Sequence, residues 1–447
     1  MNIEHQISTF PRFSQHIGLE RISSLLDELN LRRAPFPYIH IAGTKGKGST
    51  AVFLTNILEQ AGYKTGLFTS PHLSSINERI CVNLQPISLS DLESHYLQIH
   101  DVLQRLKMFD ISYFELMTAI ALFHFSKVEA DIVILETGMG GRLDATNALI
   151  NPFLTILTTI GLDHVERLGY SISAIAREKA AIIKPSAPVL SAPQPAEAEV
   201  IIQEKAKWEG VRHYSVYRDY EVSTYPANLF EKERFDVLSY ITGLPYPLLE
   251  LSLLGKHQAV NASLALASAE LLAKKGIIIK ESHIRKGLRQ ASWPGRFETI
   301  KLNGKMILMD GAHNPESTLA LANTLKERFS GYKIQMLYLS LANKLVHQNL
   351  HNLATIANQM YFTSIKGHAV IEPEDMKSWM KTNYPEIPCI AEPDEWKCFI
   401  SAMEAISSEN EILCITGSLY YIGWLRSKLN LPFYLEDGRE LMEVYHD

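Results

Sequence analysis

The chain has 447 residues and a formal net charge of −6, with 43 Lys and Arg against 49 Asp and Glu. This length exceeds what one hydrophobic core normally serves, so we expect two or three domains. No long basic run provides an electrostatic footprint for nucleic acid, and no such partner is expected. The 4 cysteines form no Cys-x-x-Cys pair, and no apolar run approaches the roughly 18 residues that span a bilayer. We therefore expect a cytoplasmic protein that does not cross a membrane.

Residues 39–50 combine an apolar strand, a glycine-rich turn and the start of a helix. Glycines leave backbone N–H groups open to a polyphosphate, Lys47 can reach its terminal oxygens, and the Ser49 hydroxyl can bind Mg²⁺. Two residues, rather than the four of the common Walker pattern, separate the first glycine from Gly-Lys. The residues predicted to bind ATP here are Gly43, Thr44, Lys45, Gly46, Lys47, Gly48, Ser49 and Thr50.

Apolar runs that alternate with helical patterns predict a parallel sheet in the first part of the chain. Residues 19–31, 51–61 and 117–125 have helical patterns, whereas residues 210–250 are irregular and are expected to form peripheral strands and loops. In such a sheet, ligand chemistry gathers at the carboxyl ends of the strands. The predicted strands that follow the first one are 63–69, 131–135 and 155–160.

Trp293-Pro294-Gly295-Arg296 is the strongest boundary signal in the chain. We therefore predict an α/β protein in which a phosphate-loop ATPase domain with a parallel sheet (1–295) precedes a smaller Rossmann-like α/β domain (296–447). The strands predicted beyond the boundary are 306–310, 335–340, 360–363 and 412–416.

Two residues at predicted strand ends are candidate metal ligands. Glu136 precedes a Gly-Met-Gly-Gly turn, and its carboxylate could face a metal held by Ser49. A turn carboxylate without a ligand is the alternative, and the phosphate loop in the same sheet favours the metal. His164 follows another strand, where a lone histidine is more often a surface residue than a ligand.

Short motifs follow one another along most of the chain in a fixed order. They are 43–50, 70–73, 78–80, 113–115, 135–147, 161–164, 178–180, 255–262, 294–298 and 310–315. This set closely resembles the folylpolyglutamate synthase and dihydrofolate synthase family of the Mur ligase superfamily. The block 136–147 alone is quite specific for that family.

The resemblance implies a role for particular residues. Lys47 is assigned to the ATP phosphates and His313 to the neighbourhood of the reaction centre. Lys179 matches a lysine that family members carry as a carbamate, although by chemistry alone it is a solvated helix lysine. Further contacts to ATP are assigned to Asn261, Arg296 and Asp310. Two Mg²⁺ ions are assigned to Ser49, Ser70, Glu136 and His164. The pterin-bearing substrate is assigned to Tyr113, Phe114, Glu115, Arg142, Leu143 and Asp144.

The implied activity is an ATP-dependent ligase, expected as a monomer, that adds L-glutamate to dihydropteroate, to folates carrying glutamate, or to both through an acyl phosphate. The alternatives are another ligase of the superfamily that acts on a muropeptide precursor, and an ATP-binding regulator that forms no bond. The family usually has glycine where this chain has Ala181, which should have little effect. A Lys-Asp pair is also usual where Lys344 precedes Leu345, so the glutamate site is left unassigned.

Overall fold

A mainly parallel sheet of eight strands forms the frame of the first domain. In the computed structural model the described residues are 3–11, 18–226, 231–342, 344–433 and 442–444. The strands are β1 (Tyr38–Ala42), β2 (Thr65–Phe68), β3 (Ile80–Val82), β4 (Gln85–Pro86), β5 (Ile132–Glu136), β6 (Leu154–Leu157), β7 (Val189–Ser191) and β8 (His213–Ser215). Their order is β4-β3-β2-β5-β1-β6-β7-β8, and only β3 and β4 at one edge pair antiparallel. The strand that precedes the phosphate loop, β1, therefore lies inside the sheet.

Helices cover both faces of this sheet, as the continuous apolar strands require. The period of two along β1 sends Ile39 and Ile41 into one core and Tyr38 into the opposite core. Two short 3₁₀ helices span Ile76–Arg79 and Ala145–Ala148. The α-helices are α1 (Ile3–Ser8), α2 (Glu20–Glu28), α3 (Lys47–Gln60), α4 (Leu89–Leu106), α5 (Tyr113–Lys127), α6 (Val165–Leu168), α7 (Ile172–Ala180) and α8 (Ala196–Trp208).

The irregular stretch contains an antiparallel sheet of three strands, in the order β11-β10-β9. Its elements and the two helices that follow are β9 (Tyr220–Thr224), β10 (Glu233–Ser239), β11 (Pro245–Leu251), α9 (Lys256–Ala273) and α10 (Glu281–Gln290). The buried Glu270 carboxylate of α9 accepts hydrogen bonds from Tyr220 (3.1 Å), Ser239 (2.7 Å) and Tyr246 (2.8 Å). One side chain thus fastens this sheet to α9.

A seven-stranded sheet organises the second domain, in the order β16-β15-β14-β17-β13-β12-β18. The pairing is parallel except between β12 and β13. The strands are β12 (Glu298–Leu302), β13 (Lys305–Asp310), β14 (Lys333–Tyr338), β15 (Gln359–Phe362), β16 (Cys389–Ala391), β17 (Glu411–Thr416) and β18 (Met442–Val444). The helices are α11 (Pro315–Arg328), α12 (Val346–Ala354), α13 (Pro373–Asn383), α14 (Glu395–Glu404) and α15 (Leu419–Lys428).

Helix α11 contacts the first domain at both of its ends. In its first turn Glu316 forms an ion pair with Lys45 of the phosphate loop. At its last residue Arg328 lies 2.7 Å from the Glu233 carboxylate, with both side chains nearly buried. The two domains therefore meet along α11, directly beside the phosphate loop.

The predicted fold class, a parallel-sheet α/β domain followed by a smaller α/β domain, is confirmed by this topology. The helix after the phosphate loop begins at Lys47, earlier than the predicted 51, because the loop residues form its first turn. The division at residues 295 and 296 stays a prediction. Among the described residues, no helix is long and apolar enough to cross a membrane.

Candidate active site

A cavity of about 2210 Å³ lies between the carboxyl ends of the strands of the two large sheets. Gly43, Thr50 and Lys179 of the predicted site residues do not line it. Gly43 and Thr50 lie at the two ends of the loop, and Thr50 is fully buried. The predicted residues that line the cavity are Thr44, Lys45, Gly46, Lys47, Gly48, Ser49, Ser70, Tyr113, Phe114, Glu115, Glu136, Arg142, Leu143, Asp144, His164, Asn261, Arg296, Asp310 and His313.

The glycines of the phosphate loop allow close packing against its neighbours. Gly46 has a φ of +86°, and a Cβ there would come within 2.2 Å of the Asn261 carboxamide oxygen. At Gly48 a Cβ would lie 3.1 Å from the Trp293 indole nitrogen. Asn261 of α9 and Trp293 of the predicted boundary segment therefore pack directly against the phosphate loop.

The hydrogen bonds of the loop show which amides can face a phosphate. The N–H groups of Thr44 and Lys45 both donate to the Thr159 carbonyl, at 3.0 and 3.2 Å. The first intrahelical bond of α3 runs from Thr50 N to Gly46 O. The amides of Lys47, Gly48 and Ser49 precede it and lack an intrahelical acceptor. Together with the positive end of the helix dipole, these three amides form an anion site.

Lys47 and Glu136 face each other beside this anion site. The Lys47 amino group donates to Gly43 O (3.1 Å) and lies 3.8 Å from the Glu136 carboxylate. Glu136 is 4% exposed, and its other oxygen accepts from Ser70 N at 3.2 Å. Burial raises the pKa of Glu136, and the Lys47 charge opposes this shift. Lys47 is thus oriented towards the cavity, and the buried carboxylate lies near the charges of Lys47, Arg296 and Arg79.

The donor set around Glu136 fits a Mg²⁺ ion. The Ser49 and Ser70 hydroxyls line the cavity together with this carboxylate, and hard oxygen ligands are those that Mg²⁺ prefers. A dication would also compensate a buried carboxylate whose nearest ammonium lies 3.8 Å away. Among the described residues there is no cluster of three or more His, Cys, Asp or Glu side chains suited to a metal. The serine hydroxyls and phosphate oxygens would have to complete the coordination.

His164 lies at the end of the β6 loop, at the N-cap position of α6. Its backbone is left-handed (φ +48°), and its Nε2 lies 3.8 Å from the Asp163 carboxylate. Burial lowers the pKa of His164, with Asp163 opposing. Its neutral imidazole is available as a ligand, and its membership of a second metal site stays a prediction.

Lys179 is buried, contrary to the solvated helix lysine expected from chemistry alone. It is 4% exposed, and its amino group donates to Gly43 O at 2.7 Å, the carbonyl that Lys47 also binds. Burial, followed by the Lys47 charge, lowers the pKa of Lys179 to about 7. A neutral amine is therefore well populated here near neutral pH.

The segment predicted to receive the pterin begins α5. The Glu115 carboxylate closes a capping box with Ser112 and lies 3.3 Å from Arg21. Phe114 packs against Gly138, where a Cβ would come within 2.7 Å of the ring. Glu115 therefore has an observed role in the start of α5, and Phe114 presents a ring at the cavity wall.

The second predicted substrate segment is the turn after β5. Arg142 donates to the Glu178 carboxylate at 2.9 Å, and Leu143 is 37% exposed. Asp144 is buried, and its Oδ2 accepts from the amides of Gly138 (2.8 Å) and Met139 (3.0 Å). The Asp144 carboxylate thus shapes the turn and also lines the cavity.

In the second domain, Asp310 and His313 follow the end of β13. Asp310 accepts from the amides of Phe297 (2.8 Å) and Ala312 (2.9 Å) and ties the boundary segment to the strand. The His313 Nδ1–H donates to Gly311 O at 2.8 Å, which leaves the lone pair on Nε2. Burial, followed by the Lys344 charge, lowers the pKa of His313 to about 4. His313 is therefore neutral at physiological pH.

Several cavity residues were given no role in the sequence analysis. Arg79 donates to His72 Nδ1 at 2.9 Å and stacks over the Tyr113 ring at 5.3 Å. His72 and Arg79 lie in the motifs 70–73 and 78–80, and their membership of these motifs is the signal that the sequence contained. Lys344 also lines the cavity, close enough to lower the pKa values of His313 and His164. Only the folded chain brings it there.

The comparisons with known proteins agree with this geometry. The family model of the Mur ligase middle domain matches residues 41–269, and that of the "Mur ligase, glutamate ligase domain" matches 295–419. A dihydrofolate synthase/folylpolyglutamate synthase of Bacillus subtilis is 35% identical over 94% of this chain and 96% of that protein.

Two solved structures share the whole architecture. Mycobacterium tuberculosis folylpolyglutamate synthase complexed with ADP has a TM-score of 0.86 at 28% identity, covering 95% of this chain and 97% of that one. Escherichia coli FolC in complex with DHPP and ADP has a TM-score of 0.84 at 26% identity, covering 96% and 98%.

Proposed function

The chain belongs to the folylpolyglutamate synthase and dihydrofolate synthase family of Mur ligases, and from that premise we propose that it is an ATP-dependent glutamate ligase. It joins L-glutamate to dihydropteroate, to folates that already carry glutamate, or to both. The observation that carries the proposal is the shared cavity. The phosphate loop and Glu136 of the first domain line this cavity together with His313 of the second domain.

The first step of the reaction needs charge stabilisation at the phosphate loop. The bond between the β–γ bridging oxygen and the γ-phosphorus breaks, ADP leaves, and the acceptor carboxylate becomes an acyl phosphate. The amides of Lys47, Gly48 and Ser49 bind the phosphates, and the Lys47 ammonium neutralises charge that develops during transfer. A Mg²⁺ ion held by Ser49, Ser70 and Glu136 would supply further charge neutralisation when bound.

The second step joins the amine to the activated acceptor. The glutamate nitrogen attacks the acyl carbon, inorganic phosphate leaves, and the nitrogen loses a proton. His313, with its lone pair on Nε2, is the neutral acceptor in the second domain for that N–H group. Since Glu316 of α11 pairs with Lys45, the two domains meet at the phosphate loop, where the acceptor and glutamate can be held beside ATP.

Product analysis tests this function. The wild-type protein is incubated with ATP, Mg²⁺, glutamate and, separately, dihydropteroate, a folate carrying one glutamate, or a UDP-linked muropeptide, and the products are identified by mass spectrometry. We expect a mass increase of one glutamate residue, and release of ADP and phosphate, with a pterin acceptor only. Addition to the muropeptide would favour the other ligase class. ATP binding without any product would favour the non-catalytic regulator.

Replacement of His313 tests whether the second domain contributes to product formation rather than to ATP binding. We expect His313→Ala to bind a non-hydrolysable ATP analogue with unchanged affinity but to lose glutamate incorporation by about a hundredfold, the scale of a lost proton-transfer group. The affinity is measured by isothermal titration and the turnover by incorporation of labelled glutamate. His351→Ala is the matched control, because this histidine lies in α12 outside the large cavity. An equal loss of affinity and turnover would place His313 in nucleotide binding instead.

A monomeric state and a cytoplasmic location stay predictions, as do the second Mg²⁺ ion and the individual residue roles. Sedimentation analysis at working concentration tests the monomer directly.

A further inference from the structure

Beneath the turn after β5, three buried side chains form a hydrogen-bonded chain, which we call the His40 chain. It consists of His40 in β1, Thr146 in the 3₁₀ helix and Asp144 at the cavity wall. His40 and Thr146 are 0% exposed, and Asp144 is 5% exposed. The chain links the strand that leads into the phosphate loop with the turn predicted to receive the pterin.

The direction of each hydrogen bond follows from the groups involved. The Thr146 hydroxyl lies 2.6 Å from Asp144 Oδ1, and a carboxylate can only accept, so the hydroxyl proton points to Asp144. His40 Nε2 lies 2.8 Å from the same hydroxyl and must therefore donate its N–H. His40 Nδ1 is then a buried lone pair, and it has no hydrogen-bond partner among the described residues. Burial, followed by the Lys184 charge, lowers the pKa of His40 well below its usual value, so the ring is neutral.

Asp144, at one end of the His40 chain, forms hydrogen bonds to the turn after β5. Asp144 Oδ1 also accepts from Thr146 N at 3.1 Å, and Oδ2 accepts from the amides of Gly138 and Met139. Four donors thus fix the orientation of one carboxylate. Gly138 and Met139 follow Glu136 by only two and three positions, and Gly138 packs against the Phe114 ring. A rotation of Asp144 would therefore move the cavity wall.

Packing alone does not account for a histidine in this place. All five residues of β1 are buried, and an apolar side chain would fill the position without leaving Nδ1 unpaired. The neighbouring register partners of His40, Leu135 and Thr155, belong to strands and do not bind its ring nitrogens. The only bond that the described residues offer to this imidazole is the one to Thr146.

We propose that His40 and Thr146 are positioning residues for the pterin-bearing acceptor, because they fix the Asp144 carboxylate and the turn at Gly138 and Met139. The inference deepens the proposed function and rests on it. It assigns the His40 chain to the acceptor side of the cavity and not to the phosphate side. Loss of the His40 chain should weaken acceptor binding and leave ATP binding unchanged.

Steady-state kinetics of His40→Phe and Thr146→Val test the inference. We expect the KM for the pterin acceptor to rise on the order of tenfold in each, with the KM for ATP unchanged, because His40→Phe removes the buried bond to Thr146, and Thr146→Val removes that bond and the one to Asp144. The effects of the double variant should be less than additive in free energy, because both changes break the bond between His40 and Thr146. His40→Gln and Thr146→Ser keep a donor and a hydroxyl and should restore most of the acceptor affinity.

Thr55→Val is the matched control, since it removes an equally buried hydroxyl that bonds within α3. If His40→Phe does not fold, Thr146→Val carries the same test with almost no change in shape. An unchanged acceptor KM in a folded variant overturns the inference, as do equal rises in both KM values. If the variants give either of these results while the wild type ligates a pterin acceptor, this inference fails and the proposed function stands. If the wild type uses no pterin acceptor, the proposed function fails with it.

Discussion

Lys47→Ala is expected to reduce glutamate ligation by at least about a hundredfold, because it removes an oriented positive charge from the proposed phosphoryl-transfer site. The side chain makes one hydrogen bond, to Gly43 O, and faces Glu136 at 3.8 Å. The variant should therefore remain folded, which circular dichroism and thermal unfolding would show. The rate is measured as ADP release coupled to product formation at saturating ATP.

The exposed Lys207 of α8 provides the matched control for Lys47→Ala. Lys207→Ala removes the same charge from the chain at a distance from the cavity and should leave turnover unchanged. Glu136→Gln should cause a loss comparable to that of Lys47→Ala, because it keeps the shape of the buried side chain and removes its charge. Near-wild-type turnover by either folded cavity variant would exclude this phosphate site as the place of reaction.

The phosphate loop and the carboxylate at Glu136 could be predicted because local sequence determines both. Glycine spacing specifies the loop, and a continuous apolar run specifies a buried parallel strand whose last residue reaches the ligand edge. The strand pattern did not predict the burial of this carboxylate, which is 4% exposed because neighbouring loops cover the strand ends. The covering loops come from distant parts of the chain, which periodicity does not relate to one another.

Features that depend on pairing between distant segments were not predictable. The short edge strands β3 and β4 carry too few residues for a clear pattern, and the antiparallel direction of β12 follows only from its pairing with β13. The ion pair of Lys45 and Glu316 joins residues 271 positions apart. By contrast, Ser112 and Glu115 have the Ser-x-x-Glu spacing of a capping box, which the sequence already contained. His40, a polar residue in an apolar strand, was a similar signal.

Lys179→Ala is expected to reduce glutamate ligation as strongly as Lys47→Ala does, because we expect the wild-type residue to act as a carbamate. The reaction is addition of the neutral amine to CO₂ with release of one proton, and it gives a negative charge beside Lys47 at a position where the protonated amine would carry a positive one. The observed environment favours it, because burial and the Lys47 charge lower the pKa of Lys179 to about 7. Above that pH the amine is mostly neutral and can react, whereas below it protonation blocks carbamate formation.

Turnover of the wild type in CO₂-free buffer should therefore be low, recover on addition of bicarbonate, and recover less as the pH falls below about 7. Nuclear magnetic resonance with ¹³C-labelled bicarbonate should show a carbamate signal that Lys179→Ala lacks and that Lys205→Ala, the control on α8, retains. A short carboxylic acid in solution should partly restore Lys179→Ala, because it places a carboxylate in the vacated space beside Gly43 O and Lys47. Full activity without CO₂, together with no labelled signal, would show that the unmodified amine bound to Gly43 O is the working form.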